Sequence, residues 1–287
     1  MKKIKYLIII AVLIITTGCF KKDNLEGIKI ITSSYPFEYV TSYLYKDHAT
    51  IASIYPDGVD TTTYTLSKKQ ISDYSKENLF IYNGLSSDKD ITISFLDKNK
   101  KMLIIDACYG MEYTYDVSEL WLNPSNLLMI TQNIKNGLKE YITNSYLEKE
   151  LDKKYEEFQL KLSELDANLK KVSENSSRNT LVVNSDTLKY LEKYWFNIIS
   201  LDESNNSVSD KDIQNVLNLI KAGEVRHLIL LENKENSSAV TKVLEESQIE
   251  TYTFRKLDSI TDSERDELKD YISIMTENIE ILKDELY

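Results

Sequence analysis

The sequence predicts an α/β fold of two lobes, each a parallel sheet flanked by helices, joined by one long rigid α-helix. Three observations carry this expectation. Short β-rich runs alternate with helical patterns in both halves of the chain, and one amphipathic repeat without Gly or Pro separates the halves. The third is length: 287 residues suffice for two ordinary α/β units and exceed one small module. Hydrophobic residues at 42 % and charged residues at 28 %, with 20 Tyr but only 7 Gly and 3 Pro, exclude a disordered, collagenous or Pro-rich chain. The 46 acidic residues against 35 basic ones repel phosphate backbones and exclude general nucleic-acid binding. Two His and two Cys leave little for catalytic His pairs, zinc fingers or a disulfide framework.

Taken in order, the first element is an export signal. Lys2, Lys3 and Lys5 precede the apolar run Leu7 to Ile15, and Thr16-Thr17-Gly18-Cys19 follows as a lipobox, with Thr16 where Leu is preferred. The apolar run is about half of the ~20 residues a bilayer crossing needs, so residues 1–18 read as a signal peptide rather than a membrane span. Cys19 is the expected lipidation site, and two acyl chains on it give stable anchoring. This places the mature chain at the cell membrane, lipid-anchored on the extracytoplasmic face, with 32 basic residues against 46 acidic ones and a net charge of −14. Cys108 is then a free thiol expected to pack as a small buried hydrophobe.

A polar tether, residues 19–26, leads into an N-terminal lobe over 27–144. Its strands are predicted at Ile28–Ile31, Ile51–Ile54, Leu79–Tyr82 and Met102–Ile105. Ser67 and Gln70 have capping-box spacing before a helix whose apolar face holds Ile71 and Tyr74. From Ser145, the residues Leu147, Leu151, Tyr155, Phe158, Leu162, Leu165, Leu169 and Val172 recur at spacings of three and four, which predicts a connecting helix over 145–176. Ser145 and Glu148 form a capping box at its start, and at ~1.5 Å per residue it spans ~45 Å. A C-terminal lobe over 177–287 has strands at Leu181–Val183, Asn197–Leu201, His227–Leu231 and Glu250–Phe254. A closing helix is expected from a Thr261–Glu264 capping box onward, with Leu268, Ile272, Met275, Ile279, Leu282 and Leu286 on its buried face.

Open α/β sheets bind ligands beyond the carboxyl ends of their strands, so two lobes on a stiff connector predict ligand capture in the cleft between them. For an exported, lipid-tethered protein, this points to a capture subunit for a transporter. Enzymatic signatures such as Gly-x-Gly-x-x-Gly, Gly-x-Ser-x-Gly or His-Glu-x-x-His are absent, which argues against an enzyme. His48 reads as a solvated loop residue and His227 as a strand-edge residue; Glu232 ends a strand facing the expected cleft and reads as a capping or solvated group, with lining of the cleft as the alternative.

Five stretches then carry a resemblance: Thr32-Ser33-Ser34-Tyr35-Pro36, Tyr55-Pro56-Asp57-Gly58-Val59-Asp60, Phe80-Ile81-Tyr82-Asn83-Gly84-Leu85, Trp121-Leu122-Asn123-Pro124, and Asp270-Tyr271-Ile272-Ser273-Ile274-Met275 with Glu277-Asn278. In order and spacing they resemble the solute-binding lipoproteins of zinc and manganese ABC transporters across essentially the whole mature chain. All three prolines fall inside these stretches. The resemblance implies two α/β lobes joined by one long helix, a divalent metal ion (zinc or manganese) as transported ligand, an ABC transporter permease as partner, and a monomer.

Carried over position by position, the family's metal ligands fall on Thr62, where a His follows Gly-Val-Asp-Pro; on Glu119, two residues before Trp121; on Ser185, five before Tyr190; and on Asp258, after the last strand. No imidazole stands at any of the four, and the family's His-rich loop is missing. Zinc favours imidazole or thiolate, whereas Glu119 and Asp258, assisted by Asp60, Tyr64 or Asp186, make an all-oxygen set that suits harder ions such as manganese. The resemblance thus implies the binding subunit of a divalent-metal importer. The alternative is a relative with a lost metal site, acting as an adhesin-like surface protein or binding another small solute through Thr62, Ser185 and Tyr hydroxyls.

Overall fold

The computed structural model describes residues 25–287; the expected signal peptide (1–18), the expected lipidation site Cys19 and the expected tether up to residue 24 lie outside the described residues. The first half runs β1 (Ile28–Thr32), α1 (Tyr35–Tyr45), β2 (Ala49–Ser53), α2 (Lys68–Tyr74), β3 (Leu79–Tyr82), α3 (Asp88–Lys98), β4 (Leu103–Asp106), α4 (Glu119–Leu122) and α5 (Pro124–Tyr141). Helix α6 (Ser145–Asn175) connects it to the second half. There β5 (Thr180–Val183), a 3₁₀ segment (Asp186–Tyr194), β6 (Asn197–Ser200), α7 (Asp210–Lys221), β7 (His227–Leu231), α8 (Ser238–Ser247) and β8 (Glu250–Phe254) are followed by α9 (Asp262–Asp266) and α10 (Tyr271–Leu286). All eight strands lie within two residues of the β-rich runs that predict them.

Both sheets are parallel and have the same topology, β2-β1-β3-β4 and β6-β5-β7-β8. Each reverses its strand order between its first and third strands. The segments leaving these strands, Ser33-Ser34 and Asn83-Gly84 in one sheet, Asn184-Ser185 and Glu232 in the other, therefore occupy the switch points where such sheets take ligands. Gly84 is dictated by contact: a Cβ there would sit 1.9 Å from Asp106 Oδ2, while its N–H donates to Asp106 Oδ1 at 2.9 Å.

One hydrophobic core crosses both halves. The inner faces of the two sheets meet α1, α5, α6 and α10 around Phe37, Trp121, Phe158, Tyr194 and Tyr271. Helix α6 buries Leu147, Leu151, Phe158, Leu162, Leu165, Leu169 and Val172 in it, the stripe expected of the connector except that Tyr155 is only half-buried. Two smaller clusters cover the outer sheet faces, one around Phe80 and Phe95, the other around Val216 and Val240. Because α6 and α10 pack into the shared core rather than bridging solvent, the halves are joined by apolar burial as well as by the chain itself. Among the described residues, no helix is long and apolar enough to cross a membrane.

The helix ends depart from expectation in two places. Asn144, not Ser145, caps α6, its side-chain oxygen accepting from Tyr146 N at 2.9 Å. The residue before the predicted cap is the better one because an Asx oxygen reaches the N–H two residues on. The Thr261–Glu264 capping box is present but opens only α9. Leu268 then turns to φ +57° and is 89 % exposed, and Asp270 caps α10 through Ser273 N at 2.9 Å. The closing helix is therefore two helices, and Leu268 is not part of the core.

Both His residues are more engaged than expected. His48 Nε2 lies 3.2 Å from Glu150 on α6. His227 Nδ1 lies 2.8 Å from Glu285, which is wholly buried and also accepts from Arg226 N at 2.9 Å. Cys108 is fully buried, and burial pushes its thiol far above the usual range, so it is inert filler as expected.

Glu285 thus anchors the last turn of α10 to the start of β7. Removing the carboxylate leaves the buried donors it accepts from without an acceptor, at ~1–3 kcal/mol each. Glu285→Ala is accordingly expected to lower the unfolding free energy by about 3 kcal/mol in urea denaturation, and a change below about 1 kcal/mol would show that this anchor contributes little.

Candidate functional site

The seam between the sheets is organised by the segment leaving β8. Its backbone docks on the first half: Tyr35 N donates to Asp258 O at 3.2 Å, Gly58 N to Ile260 O at 2.7 Å and Trp121 Nε1 to Lys256 O at 2.9 Å. Its side chains do the same. Arg265 bridges Glu38 on α1, at 2.9 Å, and Asp57; Tyr39 OH donates to Asp270 at 3.0 Å, and Tyr271 OH to Trp121 O. Motifs from both halves, Tyr35-Pro36, Asp57-Gly58, Trp121 and Asp270-Tyr271, therefore converge on this strap. Pro36 and Pro124 lie in the first turns of α1 and α5, where a missing N–H costs nothing.

Asp258 lies within this docked segment and is 2 % exposed. Its Oδ2 accepts from Thr61 Oγ1 at 3.0 Å and faces Lys256 Nζ at 3.8 Å. Its Oδ1 is buried with no hydrogen-bond partner among the described residues. Burial pushes its carboxyl above the ordinary aspartate range, against the opposing Lys256 charge and Thr61 hydrogen bond. Burial also acts to raise Asp60, but two hydrogen bonds from Thr62 and the Lys256 charge outweigh it and hold that carboxyl below its usual range. The hydroxyl of Ser34, buried at the N-terminal switch point, is likewise without a partner among the described residues.

The four aligned positions behave differently from one another. Thr62 is exposed and turned back on Asp60, donating to Oδ1 from N at 2.9 Å and from Oγ1 at 2.6 Å; it is its neighbour Thr61 that reaches Asp258. Glu119 is buried, but its carboxylate accepts from the backbone N–H groups of Thr114, Tyr115 and Asp116 at 3.2, 2.5 and 2.8 Å, closing its own loop. Ser185 caps the 3₁₀ segment and donates to Thr187 Oγ1 at 2.9 Å. Of the assisting residues, Asp186 pairs with Lys189 at 2.7 Å, and Tyr64 OH accepts from Gln70 at 2.8 Å. Asp258 is the one of these whose carboxylate has a fully buried oxygen without a hydrogen-bond partner among the described residues, where no group of three or more His, Cys, Asp or Glu side chains is placed to hold a metal ion.

The segments carrying these positions nevertheless meet. A cavity of about 180 Å³ opens beyond the carboxyl ends of the second sheet, bordered by Asp116 from the Glu119 loop, by Ser185, Asp202 and Glu232, and by Lys256 from the Asp258 segment. Glu232 is not a solvated cap: it is held by Arg255 and accepts from Lys256 N at 3.0 Å. The strap residues Lys256 and Arg265 are the ones sequence reasoning misses. The second cap, Asp270 with Ser273, is the signal that a loop rather than a helix precedes α10.

Comparison with known proteins places this geometry in context. The family model described as "Zinc-uptake complex component A periplasmic" matches residues 30–285. The zinc-binding lipoprotein AdcA of Streptococcus pneumoniae (strain R6) is 20 % identical over 99 % of this chain, which spans 61 % of that relative's length. The manganese ABC transporter substrate-binding lipoprotein PsaA of Streptococcus pneumoniae is 25 % identical over 92 % of this chain and 90 % of its own. Among solved structures, the metal-dependent lipoprotein YcdH from Bacillus subtilis superposes with a TM-score of 0.73 at 19 % identity, covering 90 % of this chain and 99 % of that one.

The three backbone N–H groups collected by Glu119 lose their acceptor when the carboxylate is removed. Glu119→Ala is expected to cost about 3 kcal/mol of unfolding free energy, with Glu119→Gln recovering part of it; a thermal unfolding profile unchanged by Glu119→Ala would contradict this loop-closing role.

Proposed function

The chain belongs to the zinc-uptake complex component A family, and from that premise we propose that it is the extracytoplasmic solute-binding lipoprotein of an ABC importer, with a divalent metal ion as cargo. The reading has the chain exported by residues 1–18, anchored through Cys19 and the 19–26 tether, and working as a non-catalytic monomer beside a permease. Lobes over 27–144 and 177–287, held by the 145–176 connector, present the seam to that partner. The observation that supports a cation as cargo is Asp258, a carboxylate 2 % exposed with one oxygen free of hydrogen bonds at the junction of the two halves. A buried anion of this kind is stabilised by a bound cation.

The donors near it are oxygens: Asp258, Asp60, Thr61 and Thr62, with the Ser34 hydroxyl unspent at the adjoining switch point. Without imidazole or thiolate, such a set suits a hard ion that keeps part of its water shell, which favours manganese over zinc. Asp258 and Asp60 supply the opposite charge, and the neighbouring cavity has room for retained waters.

Calorimetric titration of the metal-stripped full chain in detergent tests this. Manganese is expected to bind, and Asp258→Asn to weaken it at least about tenfold, the equivalent of ~1.4 kcal/mol. Manganese binding that is unaffected by Asp258→Asn, or no heat with either manganese or zinc, would contradict the reading.

A further inference from the structure

Among the described residues, the neighbouring cations of the seam are each held at close range by a carboxylate. Lys189 pairs with Asp186 at 2.7 Å, Lys234 with Asp202 at 3.0 Å, Arg255 with Glu232 and with Glu264 at 2.9 Å, and Arg265 with Glu38 at 2.9 Å and with Asp57. Lys256 is different. Its side chain is 10 % exposed, yet Asp258 is the one carboxylate within 4 Å of its Nζ among the described residues, and that contact is 3.8 Å long. Its backbone, by contrast, is fixed on both sides, N–H to Glu232 at 3.0 Å and C=O from Trp121 at 2.9 Å. An anchored main chain thus delivers a loosely engaged ammonium to the carboxylate with the uncommitted oxygen.

We propose that the Lys256 ammonium is a tethered competitor for the cargo ion, holding the cationic place beside Asp258 until a divalent ion displaces it. The inference rests on the reading of the seam as a cation site. Two positive charges cannot share one buried carboxylate at this range without strong repulsion, so ion entry and withdrawal of Lys256 are coupled. The exchange selects by charge. A monovalent ion brings no more charge than Lys256 and lacks its tether, so it gains nothing by replacing it, whereas a divalent ion doubles the attraction to Asp258 and Asp60. The same competitor keeps a neutralising cation at Asp258 once the cargo departs, which lowers affinity and eases release.

The test uses the metal-stripped full chain in detergent. Manganese titration of Lys256→Met and Lys256→Gln, each verified as folded by circular dichroism, is expected to give affinities at least about tenfold above wild type, with Lys256→Gln retaining a polar head should the Met variant not fold. In the wild type itself, saturating manganese is expected to raise acylation of Lys256 by an amine-reactive ester several-fold, read by mass spectrometry, with Lys189 and Lys234 unchanged. Wild-type binding with unchanged or weaker affinity in the variants, or Lys256 acylation that stays level or falls with manganese, overturns the competitor while leaving the importer reading intact. No binding by any of the proteins overturns both.

Discussion

The strap from Arg255 to Tyr271 fixes how the two sheets face one another. It leaves the last strand of the second half and immediately spends its backbone on the first, through Tyr35, Gly58 and Trp121. Hydrogen bonds of this kind contribute ~1 kcal/mol each. Their larger effect is geometric: Asp258 and Lys256 lie between these docking points and are placed by main-chain register rather than by rotamer choice alone. Beneath the strap, Tyr39 stacks on Tyr271 at a centroid separation of 5.8 Å and meets Phe158 at a tilt at 5.9 Å, so the polar docking sits on an aromatic base continuous with the shared core. The seam is therefore a built surface, lined and joined by protein contacts from both halves.

The charges at the seam follow from that construction. Glu119 closes its own loop, Asp186 holds Lys189, and Glu232 holds Arg255 and the Lys256 N–H. Each carboxylate so committed has exchanged a possible ligand role for a local structural one. What is left is a single buried aspartate with a free oxygen, an adjacent Asp60 kept ionised, and one loosely paired ammonium. A site of this composition differs from an imidazole cage in kind: its selectivity comes from net charge and water retention, not from ligand softness.

The fold was largely legible because its signals are local. Short β-rich runs located the eight strands and a three-and-four spacing the connector, since each buried segment is written into neighbouring residues. The Ser67–Gln70 capping box was readable for the same reason, while Asn144 displaced Ser145 as the cap because both residue types cap well and only the backbone decides between them. The break at Leu268 was hidden because an apolar residue at helical spacing looks like core; its φ of +57° is a property of the turn, not of the side chain. The site was less legible still. Thr62 and Thr61 are indistinguishable in type, and which of them reaches Asp258 depends on how the turn from Asp60 closes. Glu119 has the sequence position of a ligand, but its partners are backbone N–H groups that no residue type announces. Lys256 carries no motif at all, and its importance comes from the strap that buries it.

The central claim is that the strap holds the two halves in register without a bound ion. Pulsed electron–electron resonance between spin labels on cysteines introduced at the exposed positions Lys69 and Glu235 measures this directly, Cys108 being too buried to label. The account predicts one narrow distance distribution in the metal-stripped protein, unchanged by saturating magnesium, a diamagnetic hard ion, or by zinc, and broadened by Arg265→Ala. A broad or two-peaked distribution that collapses to one distance only when either ion is added would contradict it.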